Sequence, residues 1–353
     1  MGIKIIKTIS LFLLYFLCFE SLSGDDLGKY DSLNSVLKSN QFKNDSTITS
    51  LYKRLDELGW KSFSTEVADA YYQLGNSYFK YSQNDSALVY FNKALEIGGV
   101  VDYNKYFPIV NHMIGNVLWE MSSYYQALEK ALLLKKFHEN NNTIESNPRL
   151  FNLLGMIYYR LKDYPQAYEN FLHAADICKK TNNNALLGIV LTNTGSLYND
   201  QEKYRESLEY YEKGVRLEEE YKQFKSAGRS YEALARIFIS LNSPDRAASY
   251  LLKAQNYNQE TNDIVGFTKT YSTYGKLYNY LKDYEKAIEY LKNAESYAVE
   301  SDLKEYYMNT CEQLIISYQN INDYKNESKY QKKYIELYKQ IYNIQDYTKM
   351  KGV

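Results

Sequence analysis

Residues 154–174 read LGMIYYRLKDYPQAYENFLHA, and the spacing of small and large side chains within them decides the fold. Gly155, Ala167 and Ala174 are small, Leu154, Tyr158 and Phe171 are large, and both sets recur at the three- and four-residue steps that keep side chains on one helical face. Small residues at those points let two antiparallel helices approach closely, while the large ones fill the grooves between them. In the turn between, Asp163 is placed to cap the exposed amides of the second helix.

The same pattern recurs along the chain. Gly75, Gly115, Gly155, Gly195, Ala235, Gly275 and Ile315 follow one another at intervals of 40 residues without insertion. Three residues after each stand Tyr78, Leu118, Tyr158, Tyr198, Phe238, Tyr278 and Tyr318. Small residues then return at Ala87, Ala127, Ala167, Ser207, Ala247 and Ala287, and at Ala94, Ala174, Gly214, Ala254 and Ala294, with Leu134 the large exception. Asp283 and Asp323 repeat the capping position of Asp163, and Pro244 takes a first-turn position where a missing amide hydrogen costs nothing.

This set of residues resembles the tetratricopeptide-repeat family. Its pattern of Leu-Gly, Tyr, Ala, aromatic and Ala is matched by Leu74, Gly75, Tyr78, Ala87, Phe91 and Ala94, and again by Leu154, Gly155, Tyr158, Ala167, Phe171 and Ala174. The family's usual period is about 34 residues, whereas a period near 40 would also suit HEAT and armadillo arrays; the small-residue pattern favours the tetratricopeptide reading. Spacing inside the signature is unchanged, so the surplus lies between one repeat's last alanine and the next repeat's glycine, which predicts helices lengthened by about one turn.

The resemblance implies an all-α, right-handed superhelical solenoid of seven helix-turn-helix repeats over 68–338, starting near 68, 108, 148, 188, 228, 268 and 308. In the seventh repeat Ile315, Glu327 and Tyr334 replace the small residues, as in a terminal cap. Residues 24–67 keep helical apolar spacing (Leu33, Val36, Leu37, then Leu51, Leu55, Leu58) without the small-residue signature, which marks an N-terminal helical cap; 339–353 would be a C-terminal helical tail.

Composition narrows the function. The 353 residues carry 42 Lys and Arg against 43 Asp and Glu, so no overall field gathers nucleic acid, and none is expected as a partner. Only four prolines occur, as suits long helices, and the 40 tyrosines suit interior positions where a ring fills space and its hydroxyl reaches an edge. Cys178 and Cys311 lie three repeats apart, too far for a disulfide, and read as small core hydrophobes.

Residues 1–23 have the layout of a secretory signal peptide: Lys4 and Lys7, an apolar run from Ile9 to Phe19, then Ser21 and Ser23 before a cut at Gly24. The run is shorter than the roughly 20 residues of a membrane-spanning helix. An uncleaved anchor is the alternative, and Cys18 raises lipid attachment, against which Tyr15, Phe16 and Leu17 are bulkier than a lipidation motif wants. No second apolar run comes later in the sequence, so an exported, periplasmic or envelope-associated chain without an integral span is expected.

The resemblance further implies that first helices line a concave face that binds a protein or peptide. On that face the twelfth repeat position supplies Phe79, Trp119 and Tyr159, the fifth Tyr72, His112 and Asn152, and the ninth Asn76 and Asn116. Amides that bond a peptide backbone beside rings that give apolar contact resemble a peptide-binding surface. The alternative is that the stripe is buried core between repeats. Arg229, Arg236, Lys269 and Lys276 occupy inner-face positions farther along, where they could meet an acidic partner or form a solvated face. The carboxylate clamp of chaperone-binding relatives is not reproduced by His112, Asn116 and Leu153. His112, His138 and His173 show no metal-site spacing, and no phosphate loop or nucleophile elbow occurs, so neither cofactor, metal nor catalytic residue is expected. A non-catalytic binding scaffold is the expected function; a component related to the extracytoplasmic sensors of bacterial two-component proteins, with its output on another chain, is the alternative.

Overall fold

A computed structural model describes residues 46–60, 62–144 and 147–341, and among them it contains fifteen helices and no strand. The expected leader, with Cys18, most of the N-terminal cap and most of the C-terminal tail, lies outside the described residues. Helix α1 is Ser46–Leu58. Then come hairpins α2 (Thr65–Lys80) with α3 (Asn84–Val101), α4 (Tyr103–Glu120) with α5 (Tyr124–Asn140), and α6 (Pro148–Arg160) with α7 (Tyr164–Lys180). Next are α8 (Asn184–Asp200) with α9 (Tyr204–Glu220), and α10 (Phe224–Ser240) with α11 (Pro244–Thr261). The series ends with α12 (Ile264–Tyr280) and α13 (Tyr284–Glu300), then α14 (Lys304–Asn320) and α15 (Tyr324–Ile341).

Two 17-residue helices and two three-residue turns account for the 40-residue period, as α8 and α9 show. First helices mostly start a turn ahead of their signature, at Ile264 and Lys304 against 268 and 308. The turn is a helix stop and a helix start fused. After α6, the amide of Lys162 bonds to the carbonyl of Tyr159 (3.1 Å) and that of Asp163 to Tyr158 (2.9 Å), the paired closure of a left-handed C-terminal cap. Asp163 then accepts from the amide of Gln166 (3.3 Å) and opens α7. Asp283 and Asp323 cap α13 and α15 in the same way. Left-handed residues recur every 20 positions from Ser122 to Asn322, none of them glycine.

From α2 onward, the link differs from three residues by more than one at two junctions. Asp102 alone separates α3 from α4, with an extended φ of −157° and its carboxylate on the amide of Lys105. Between α5 and α6 the link lengthens, and Asn147 caps a helix that starts at Pro148. The signature positions keep their period through both, because helix length absorbs the difference.

Small residues sit where helices nearly touch. A Cβ added to Gly155 would stand 2.5 Å from Cδ1 of Phe171, which is itself fully buried. Tyrosines fill the remaining space: the hydroxyls of Tyr52, Tyr78 and Tyr90 meet inside the first hairpin and bind α1 to it, with the Tyr52–Tyr78 bond at 3.0 Å. Cys178 and Cys311 are buried free thiols.

The superhelix also closes on itself. Arg160 at the end of α6 pairs with Glu305 at the start of α14, and Arg229 on α10 reaches Glu120 at the end of α4 (3.1 Å). Tyr124 belongs to the same apolar cluster as Met308, Cys311 and Leu314, with Trp119 and Leu161 packed against it. The open concave groove expected from sequence is therefore a central cavity, because α14 returns onto the ends of α4 and α6.

Candidate functional site: a central cavity

The cavity measures about 760 Å³, and apart from Phe171 and Tyr211 its whole lining comes from the first helix of the seven hairpins. That arises from the repeat: a helix whose one face packs on its own hairpin partner presents the next face to the superhelix axis, at the same register each time. Eight of the twelve residues singled out by sequence line it: Phe79, Asn116, Trp119, Tyr159, Arg229, Arg236, Lys269 and Lys276.

The other four do not. Tyr72 packs on Phe91 with ring centres 5.8 Å apart, and Asn76 is half-buried on α2 away from the lining. Asn152 is buried, accepting from Asn193 at 2.9 Å, so its neighbour Asn193 is the amide that reaches the cavity. Burial, then Arg149 and His138, lower His112 to about 4, so it is neutral at physiological pH. His138 bonds Thr143 and Asn147, and His173 stacks on Phe151.

The aromatic stripe proves to be both wall and lining. Phe79 and Trp119 pack on the core with one face and bound the cavity with another. Trp119 donates to the carbonyl of Met156 (3.4 Å), and the guanidinium of Arg160 lies 5.2 Å from its ring centre.

The charges form two groups. At the closure corner, Asp263 receives Arg229 (2.6 and 2.8 Å) and Lys225 (3.3 Å), Glu120 receives Arg229, and Glu305 receives Arg160. Burial works to raise the Asp263 carboxyl, but Arg229 and Lys225 outweigh it and bring it down to about 2. Burial, then Glu120, push Glu305 upward, and Arg160 in contact with it pulls the other way. In the second group, Glu232 holds Arg236 (2.9 Å), Lys269 (3.0 Å) and the hydroxyl of Thr273 (2.6 Å). Burial opposes ionisation of Glu232, yet Arg236 and Lys269 lower it to about 2. Lys276 makes no ion pair among the described residues, and burial, then the nearby Arg236, lower its ammonium.

Sequence reading missed Glu120, Glu232 and Arg160 on the lining, and Asp263 and Glu305 behind it. Glu232 stands at the fifth position of its repeat and was open to detection. Arg160 and Glu305 are meaningful only once the superhelix closes. No group of three or more His, Cys, Asp and Glu among the described residues is arranged to hold a metal, and no described helix is long and apolar enough to cross a membrane.

Fold and cavity define a superhelical helix-repeat protein with an axial binding space. Tetratricopeptide-repeat models match residues 68–97, 147–220, 228–261 and 268–298, and the chain belongs to the tetratricopeptide-repeat family. Among curated proteins it is similar to the transcriptional activator NprA of Geobacillus stearothermophilus, 23% identical over 202 residues that make up 56% of this chain and 49% of the relative. The chain thus spans about half the length of that relative. Among solved structures, a Rap protein complexed with Competence and Sporulation Factor superposes with a TM-score of 0.68 at 14% identity, covering 90% of each chain. The Rap conjugation gene regulator of the plasmid pLS20, in complex with a Phr peptide, gives 0.67 at 12% identity over 84% of each. At such identities the likeness is one of fold.

Proposed function

We propose that this protein is a non-catalytic scaffold that binds a short peptide, or an extended segment of a protein, inside its central cavity. The observation that carries this is the lining: seven first helices direct Phe79, Trp119 and Tyr159, the amides Asn116, Asn193, Asn309 and Gln313, and a set of cations toward one space of about 760 Å³. That volume falls within the roughly 300–1,000 Å³ of ligand sites in general. Amides engage a backbone whatever its sequence, rings take apolar side chains, and cations select charge. The peptide-bound state of the Rap regulator supports the choice of ligand class. The signal-peptide layout of residues 1–23 supports a place outside the cytoplasm.

A second reading, a signalling component whose output lies outside this chain, is supported by the likeness of half of NprA, a transcriptional activator. Both readings share the cavity and differ in the consequence of its occupation.

A photo-crosslinking side chain placed at Tyr159, on the lining, and separately at Leu252, an exposed residue of α11, tests the shared claim. A random pentapeptide pool should crosslink at 159 and not at 252. Equal labelling at both positions, or labelling at 252 alone, sinks it.

A further inference from the structure

The two charge groups of the cavity are unequal. Three cations meet three carboxylates at the closure corner: Arg160, Arg229 and Lys225 against Glu305, Glu120 and Asp263. In the second group Arg236, Lys269 and Lys276 gather around Glu232, which pairs with the first two and leaves Lys276 without an ion pair among the described residues. The remaining lining carboxylate, Glu312, is exposed; with Glu232 it acts on Lys276 from a distance, but neither forms an ion pair with it, and burial and Arg236 prevail over both. Arg236 and Lys276 occupy the same register on neighbouring first helices, α10 and α12, and both face the cavity.

Withdrawing a cation from water without a counter-charge is costly, and the cost persists until an anion arrives. A carboxylate seated here would gain charge-assisted hydrogen bonds from Lys276 and from the guanidinium of Arg236, while Glu232 keeps its present partners. An inorganic ion would satisfy the charge but would leave unused the lining rings and the amides Asn309 and Gln313 on the adjoining α14.

We propose that the cavity selects peptides that carry a carboxylate, seated between Lys276 and Arg236, with the rest of the peptide running toward Trp119 and Tyr159. This rests on the peptide-binding function proposed above and adds the chemistry of the ligand. The carboxylate has two sources, an Asp or Glu side chain or the peptide's own C-terminus.

The test is affinity selection with the full chain from two random pentapeptide pools, one with free and one with amidated C-termini. Enrichment of Asp or Glu in both pools assigns the side chain; retention from the free pool alone assigns the terminus. Lys276→Gln should weaken the retained peptides by roughly 10- to 100-fold, the worth of one hydrogen bond to a charged group, and Lys276→Arg should restore them. Among the described residues Lys276 holds no ion pair that folding depends on, and the comparison of pools on the parent chain needs no variant. Retained peptides that are neutral or basic, indifferent to amidation, or indifferent to Lys276→Gln overturn the carboxylate assignment and leave the cavity as a peptide site. If the parent retains no pentapeptide, both proposals fall.

Discussion

Arg229 reads in the sequence as one of several cations free for a ligand, and the structure gives it a different task that can be measured. It bonds both carboxylate oxygens of Asp263 at 2.6 and 2.8 Å and one of Glu120 at 3.1 Å, so a single guanidinium ties α10 to the start of α12 and to the end of α4. Arg229→Gln would leave two carboxylates without that charge, one of them on the wholly buried side chain of Asp263. Breaking a buried pair by removing one partner costs about 3–5 kcal/mol. Lys225 remains 3.3 Å from Asp263 and offsets part of this, so the lower end is expected, about 3 kcal/mol. In a repeat array the loss should be felt first at the contact and its neighbours rather than as one global transition. Hydrogen exchange followed by mass spectrometry reads that: amides near Glu120 and near Asp263 should exchange roughly 100-fold faster, while those in α2 should not change. A uniform increase along the chain, or an effect of less than about tenfold at both sites, would refute the assignment of Arg229 to closure.

Three other outcomes are expected from the same geometry. Gly155→Ala forces a methyl group against the ring of Phe171, 2.5 Å away, and should destabilise the third hairpin by about 1–3 kcal/mol in denaturant unfolding; an unchanged midpoint would contradict the packing role. Glu202→Gly replaces a left-handed residue with φ of 59° by the one residue that adopts it without strain. Relief of about 1–2 kcal/mol, less the added chain entropy of glycine, predicts a net gain of about 0.5–1 kcal/mol in urea unfolding, and a loss would refute it. Asp263 and Glu232 are depressed to about 2 in the folded chain, against about 4 when unfolded. Their contribution, about 2–3 kcal/mol each, is therefore present above pH about 4 and lost as pH falls toward 2, and urea midpoints that stay constant from pH 5 to pH 2.5 would refute that link.

Much of the fold was legible because the packing of a repeat array is local. Gly155, Tyr158, Ala167 and Phe171 meet within one hairpin, and so their spacing in the chain reports their contact in space. The register of the inner face was legible for the same reason, which is why Arg236 and Lys276 were found with Phe79 and Trp119. Tyr72, Asn76, His112 and Asn152 were misplaced because the lining shifts as the superhelix turns: Tyr72 and Asn152 sit at a fifth position that faces a neighbouring helix in the first three repeats, yet Thr192 and Glu232 at that position reach the cavity. Closure was invisible. Arg160 and Glu305 lie 145 positions apart, and their meeting depends on rotations summed over several repeats that no single spacing reports. The junction at Asp102 was hidden too, since the signature period runs through it unchanged while helix ends absorb the difference.

Trp60 and Trp119 are the two tryptophans of the chain, and Trp119 lies on the cavity wall. In a Trp60→Phe variant its emission reports the proposed site directly. Titration with a pentapeptide retained in the selection should change that emission saturably, with the same midpoint as calorimetry. Calorimetric binding with no change in the emission of Trp119 would contradict the placement of the ligand in the cavity.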